Sequence, residues 1–125
     1  MDRENFLHVD LTEKIIKSAI QVHKTIGPGF HEKIYERALR KQFELDSIRF
    51  ENQKRIDLVY LGEKIGYHFL DFFIDSKVVL ELKTLDNLSN IYLSQVISYL
   101  KATNSHVGLV LNFAKPTLEI KRVSI

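Results

Sequence analysis

The segment YHFLDFFIDSKVVLELK, residues 67–83, decides how the chain is read. Two apolar runs flank Asp75-Ser76, a pair whose short polar side chains favour a turn. Tyr67 to Asp75 therefore reads as one strand and Val78 to Lys83 as the next. At a period of two residues, Val79, Glu81 and Lys83 share one face of the second strand, and Val78, Leu80 and Leu82 the other. On the first strand, Tyr67, Phe69, Asp71, Phe73 and Asp75 share a face. A hairpin about Asp75-Ser76-Lys77 brings Asp71 close to Glu81 and Lys83.

Upstream, Leu11 to Ile26 carries Ile15, Ile16, Ala19, Ile20, Val22, His23 and Ile26 at helical spacing, with Asp10 or Thr12 as its cap. Gly27-Pro28-Gly29 breaks it, because proline bars its predecessor from the α region. A second helix starts near Phe30 or His31 and runs to about Leu45, burying Tyr35, Leu39 and Phe43. Lys54 to Leu61 alternates with Ile56, Leu58 and Tyr60 on one side, and Gly62-Glu63 turns the chain. Downstream, Ser89 to Ala102 is helical with Leu93, Val96, Ile97 and Leu100 inward. Val107 to Phe113 is continuously apolar, as a central strand is, and Leu118 to Ile125 is the last strand. The order ααβββαββ predicts an α/β domain, a mixed sheet flanked by helices.

The 125 residues suggest one domain, 1–125, able to bury roughly two-thirds of its unfolded surface. The chain is 45% hydrophobic and 27% charged, which argues against disorder. With no cysteine there is no disulfide, thiolate metal site or Cys nucleophile. The start, MDRENFLHVD, lacks an apolar leader core and no run is long enough for a membrane span, so a cytoplasmic protein is expected. A net charge of +2 and a pI near 8.8 are modest for an electrostatic nucleic-acid binder. The five histidines lack zinc-protease spacing, and no phosphate-binding loop or nucleophile elbow is present.

The polar residues that interrupt apolar faces are the candidates for chemistry. Asp71, Glu81 and Lys83 among aromatics are costly to desolvate, and each carboxylate alone tends to protonate. A hard cation such as Mg²⁺ relieves that penalty, taking carboxylate oxygens and keeping several waters. Glu-x-Lys by itself is a common pair, and on an edge strand it is usually a solvated face. Glu32 shares the stripe of Tyr35 and Leu39, although an acid there also suits the helix dipole. Gln95 and Tyr99, at i and i+4, border the third helix's core stripe; taken singly, each is better explained as a satisfied buried amide and a snorkelling phenol.

Gly29-Phe30-His31-Glu32-Lys33-Ile34-Tyr35 resembles the signature of the GxxExxY family, a branch of the PD-(D/E)xK nuclease-like superfamily. The resemblance runs from about residue 10 to the C-terminus. It takes in Asp71, Glu81-Leu82-Lys83, Gln95-x-x-x-Tyr99 and Gly108 to Phe113, with Leu70 where the superfamily name has proline. It implies a restriction-endonuclease-like core and Mg²⁺- or Mn²⁺-dependent phosphodiester hydrolysis, with DNA ahead of RNA as substrate. By the same resemblance Asp71 and Glu81 are metal ligands and Glu32 completes the site. Lys83 positions or activates water, and Gln95 and Tyr99 form the active-site helix pair. A non-catalytic nucleic-acid-binding or regulatory module, and a structural protein with an ion-paired core, stand as alternatives. A homodimer or a further protein partner is compatible with each.

Overall fold

The computed structural model describes residues 7–125. Its elements are α1 (Val9–Ile26), α2 (Glu32–Leu45), β1 (Phe50–Tyr60), β2 (Glu63–Ile74), β3 (Val78–Lys83), α3 (Asn90–Thr103), β4 (Val107–Asn112) and β5 (Glu119–Ser124). The strands form one sheet in the order β1-β2-β3-β4-β5. Only β3 and β4 are parallel, with Val78 opposite Val107 and Lys83 opposite Asn112. A parallel pair needs a long crossover, and α3 supplies it. The ααβββαββ order and the mixed sheet agree with the sequence reading.

The middle of the sheet is buried because its sequence is apolar on both faces. Val78, Leu80 and Leu82 of β3 join Leu109 and Leu111 of β4 against Ile15, Ala19 and Val22 of α1 and Tyr35, Leu39 and Phe43 of α2. On the opposite face Val79 and Val110 pack with Val96 and Leu100 of α3, alongside Ile56, Leu70 and Val123. Helix and strand lie unusually close there. A Cβ added to Gly108 would stand 2.5 Å from Val96 Cγ1, so the missing side chain lets α3 rest directly on β4.

Several boundaries and faces differ from expectation. The first helix begins at Val9, and His8 occupies the cap position in a left-handed conformation. Asp10 and Thr12 therefore lie inside the first turn, where the Thr12 hydroxyl donates to the Val9 carbonyl at 3.1 Å. Ile20, read as part of the inner stripe, is 38% exposed. The β1–β2 hairpin is longer than alternation indicates because its outer half is solvated, with Tyr60, Leu61, Ile65 and Tyr67 all exposed. It turns at Leu61-Gly62, both with positive φ, one residue earlier than expected. The Asp75-Ser76 turn stands where expected and has the same primed geometry, φ 51° and 55°.

The most consequential difference lies in β2. Leu70 belongs to the α3 side, whereas Phe72 and Ile74 pack with α1 and α2 and Phe73 returns to the α3 side. Strict alternation would have put Leu70 and Phe72 together. The period slips at Asp71, so Tyr67 and Phe69 do not share the face of Phe73. Opposite the slip, Gln53 of β1 has φ 54°, left-handed backbone in the middle of a strand. Pairing between β2 and β3 runs through Ile74–Val78, Phe73–Val79 and Phe72–Leu80 and stops there. Beyond that point the two strands part.

Candidate functional site

The gap between β2 and β3 opens where the next pair in register would be Asp71 with Glu81. With the ladder ended, the Leu82 N–H has no strand carbonyl opposite, and one Asp71 carboxylate oxygen accepts it at 2.8 Å. That bond fixes Asp71 in the gap. Its other oxygen faces the Gln53 amide nitrogen at 3.5 Å, and the same amide bonds Glu36 of α2. The backbone carbonyl of Asp71 accepts from the Asn52 side chain at 2.8 Å.

Glu32, the first residue of α2, reaches the same place from above. Its helix starts there because Gly29, with φ 103°, turns the chain as few other residues would. The buried Tyr35 then closes that turn: its hydroxyl donates to the Gly27 carbonyl at 2.7 Å and accepts from the Phe30 N–H at 3.2 Å. Glycine, acid and tyrosine at spacing three thus make a turn, a projecting carboxylate and an anchor. Glu32, Lys33, Glu36, Gln53, Asp71 and Leu82 line a cleft of about 110 Å³. Half-burial, together with the charges of Asp71 and Glu36, raises the Glu32 pKa against the pull of Lys83.

Glu81 is the outlier of the molecule. It is only 6% exposed, and its Oε1 is buried without a hydrogen-bond partner. Burial first, and then the nearby Asp71 carboxylate, push its pKa up to about 10, with Lys83 drawing it the other way. The His68 ring, on β2, stands beside it with Nε2 3.7 Å from Glu81 Oε1, and that nitrogen is also buried and unpartnered. His68 lies flat against Tyr99 of α3, ring centroids 4.2 Å apart at 12°. Burial holds the imidazole pKa below its ordinary value, and that of Tyr99 is raised by burial and by Glu81 and Asp71.

Lys83, at the end of β3, carries its ammonium 4.8 Å over the ring of Tyr92. The segment after it is fastened by the buried Asn112. Its side-chain amide donates to the Leu85 carbonyl and to Glu119 at 2.8 and 2.9 Å, and its oxygen accepts from the Leu85 N–H at 2.9 Å.

The fold thus gathers Glu32, Asp71, Glu81, Lys83 and Tyr99, which influence one another electrostatically. Gln95 is different: it is exposed on α3, one turn before Tyr99. Sequence reasoning missed His68, Gln53 and Tyr92. A lone histidine three residues from an aspartate carries little signal, and nothing in the sequence marks Gln53 as left-handed. Tyr92, at the start of α3 and seven residues before Tyr99, was the most recoverable. Among the described residues no three His, Asp or Glu side chains converge as a ready-made chelate.

A mixed five-stranded sheet between α1–α2 and α3, opening at an Asp and a Glu-x-Lys strand, is a restriction-endonuclease-like core. The sequence pattern agrees over nearly its whole length: the family model of the PD-(D/E)XK nuclease superfamily matches residues 9–123, and the chain belongs to that superfamily. No curated protein and no solved structure gives a significant match. Among the described residues no helix is long and apolar enough to cross a membrane.

Proposed function

We propose that the protein is a divalent-metal-dependent nuclease hydrolysing phosphodiester bonds, with DNA the first substrate to try and RNA the second. The observation that carries this reading is Glu81, a carboxyl group buried beside a second carboxylate with one oxygen unpartnered. A carboxyl group retained for structure is ordinarily hydrogen-bonded on both oxygens. Here protonation or a cation must make up the deficit.

The donors fit Mg²⁺ or Mn²⁺, which bind through few protein oxygens and several waters. Asp71, Glu81 and Glu32 would hold the ion; when bound, it supplies Lewis-acid polarisation of a phosphoryl oxygen and a water of lowered pKa. The remaining steps belong to the chain's own groups. Lys83 presents a positive charge at the rim of the site, where it orients the attacking water and offsets the charge that grows on the phosphate. Asp71 keeps one oxygen on the Leu82 N–H, so its orientation is set before any ligand arrives. Tyr99 keeps the His68 ring flat against α3. Gln95, being exposed, would meet the nucleic acid. The finer assignment to the GxxExxY branch rests on Gly29, Glu32 and Tyr35, whose roles in the turn at the head of α2 give that spacing a physical reason.

The test is cleavage of plasmid and of single-stranded oligonucleotides with Mg²⁺ or Mn²⁺, EDTA serving as blank. Wild type should cut, Asp71→Ala should lose metal binding and cleavage together, and Lys83→Ala should bind both metal and nucleic acid without cutting. Nucleic-acid binding by wild type with no cleavage of any substrate would favour a binding module on this fold.

A further inference from the structure

His68 has no structural occupation that its position explains. The contact of its Nε2 with Glu81 Oε1 is looser than a close ion pair. A hydrogen bond is also absent, because 3.7 Å is too long. The two atoms lie on neighbouring strands, both are buried, and neither has a hydrogen-bond partner. The half-buried ring lies flat on Tyr99. Its cross-strand neighbour on β1 is the buried Ile56. An imidazole nitrogen held unpartnered beside a carboxylate oxygen is the kind of donor pair a metal ion takes.

We propose that His68 is the nitrogen donor of the cation site, joining Glu81, and that it makes the site prefer Mn²⁺ over Mg²⁺. This rests on the nuclease reading in that the ion is the one Asp71 and Glu81 would hold. The preference follows from donor chemistry: Mg²⁺ is a hard ion that strongly favours oxygen, whereas first-row transition ions accept imidazole readily. Tyr99 then acts as a positioning residue, its ring fixing the angle at which the nitrogen meets the ion.

The experiment uses the untagged chain, with Mn²⁺ and Mg²⁺ themselves as probes. Pulsed electron paramagnetic resonance of the Mn²⁺-loaded wild type should show a directly coupled ¹⁴N nucleus. Calorimetry should find Mn²⁺ bound more tightly than Mg²⁺. His68→Gln should lose the nitrogen coupling and weaken Mn²⁺ binding about 10-fold or more, a scale that even residues behind metal ligands reach, while Mg²⁺ binding changes little. Should the variant fold poorly by circular dichroism, the wild-type nitrogen signal still decides. Mn²⁺ bound without nitrogen coupling, or coupling that survives in a folded His68→Gln, overturns the role of His68 and leaves the nuclease reading standing. Failure of wild type to bind either ion brings down both.

Discussion

The two faces of β3 belong to one strand of six residues and obey opposite rules. Val78, Leu80 and Leu82 enter a dry core with Tyr35, Phe43, Phe72 and Phe113, where aromatic rings stack and edge against one another at 4.5 and 5.3 Å. Val79, Glu81 and Lys83 begin in the α3 core and end in a buried carboxyl group, an unpartnered histidine and a lysine over a tyrosine. The first face supplies stability. The second draws on it, since a charge-bearing group this buried is retained against a desolvation penalty. The dry face makes the other affordable.

Breaking the dry face should have the largest effect. Phe72→Ala removes a fully buried ring that touches Phe43 and Phe50 and should lower stability by about 3–5 kcal/mol, read as a shift in urea midpoint. On the polar face, Lys83→Ala should leave the urea midpoint nearly unchanged and reduce cleavage rate roughly 10²–10³-fold, the scale for losing one group that stabilises transition-state charge. A loss of stability matching that of Phe72→Ala would mean that the two faces do not divide the labour this way.

Glu81 sharpens the contrast through pH. Below about pH 4.5 it is protonated folded and unfolded alike. Between there and about 10 the folded chain keeps a proton that the unfolded chain has released, so the metal-free protein should lose stability as pH rises. The slope is at most about 1.4 kcal/mol per pH unit. Glu81→Gln should flatten that slope in urea titrations at successive pH values, and ~10 mM Mg²⁺ or Mn²⁺ should flatten it in wild type. An unchanged slope in Glu81→Gln would assign the pH dependence to another group.

The smallest of these effects concerns how closely α3 lies on the sheet. Gly108→Ala would press a methyl against Val96 and lift the helix, destabilising by about 1 kcal/mol after the gain from replacing a strand glycine. Because Tyr99 rides on the same helix, the His68 ring should also become less ordered, measurable as a change in its NMR line shape. A variant that loses stability with unchanged His68 signals would uncouple helix docking from the polar cluster.

Much of this was legible in the sequence for a simple reason: hairpin arithmetic is local. Asp75-Ser76 sets a register of 152, and that register alone puts residue 71 opposite residue 81. The apolar runs of β3 and β4 and the stripe of α2 were readable for the same kind of reason, since periodicity needs no partner. Where a break in pattern mattered, reading failed. The slip at Asp71 reverses which face each later residue takes, and only the packing of Leu70 and Phe72 in opposite cores reveals it. Gln95 bordered the helical stripe yet is exposed, because it lies off the face of α3 that buries Val96 and Leu100. His68 could not be read, because its meaning comes from Glu81 and Tyr99, thirteen and thirty-one residues away.

Gln53 shows where a laboratory search for heat resistance would lead this protein astray. A left-handed non-glycine residue inside a strand is strained by about 1–3 kcal/mol, and glycine at that position would relieve the strain at once. Selection for survival at high temperature would reach that substitution early. It would also delete the amide that ties Asp71 to Glu36 across the cleft. Gains in durability at this position should therefore come with a looser Asp71, the usual trade between stability and activity concentrated in a single backbone angle.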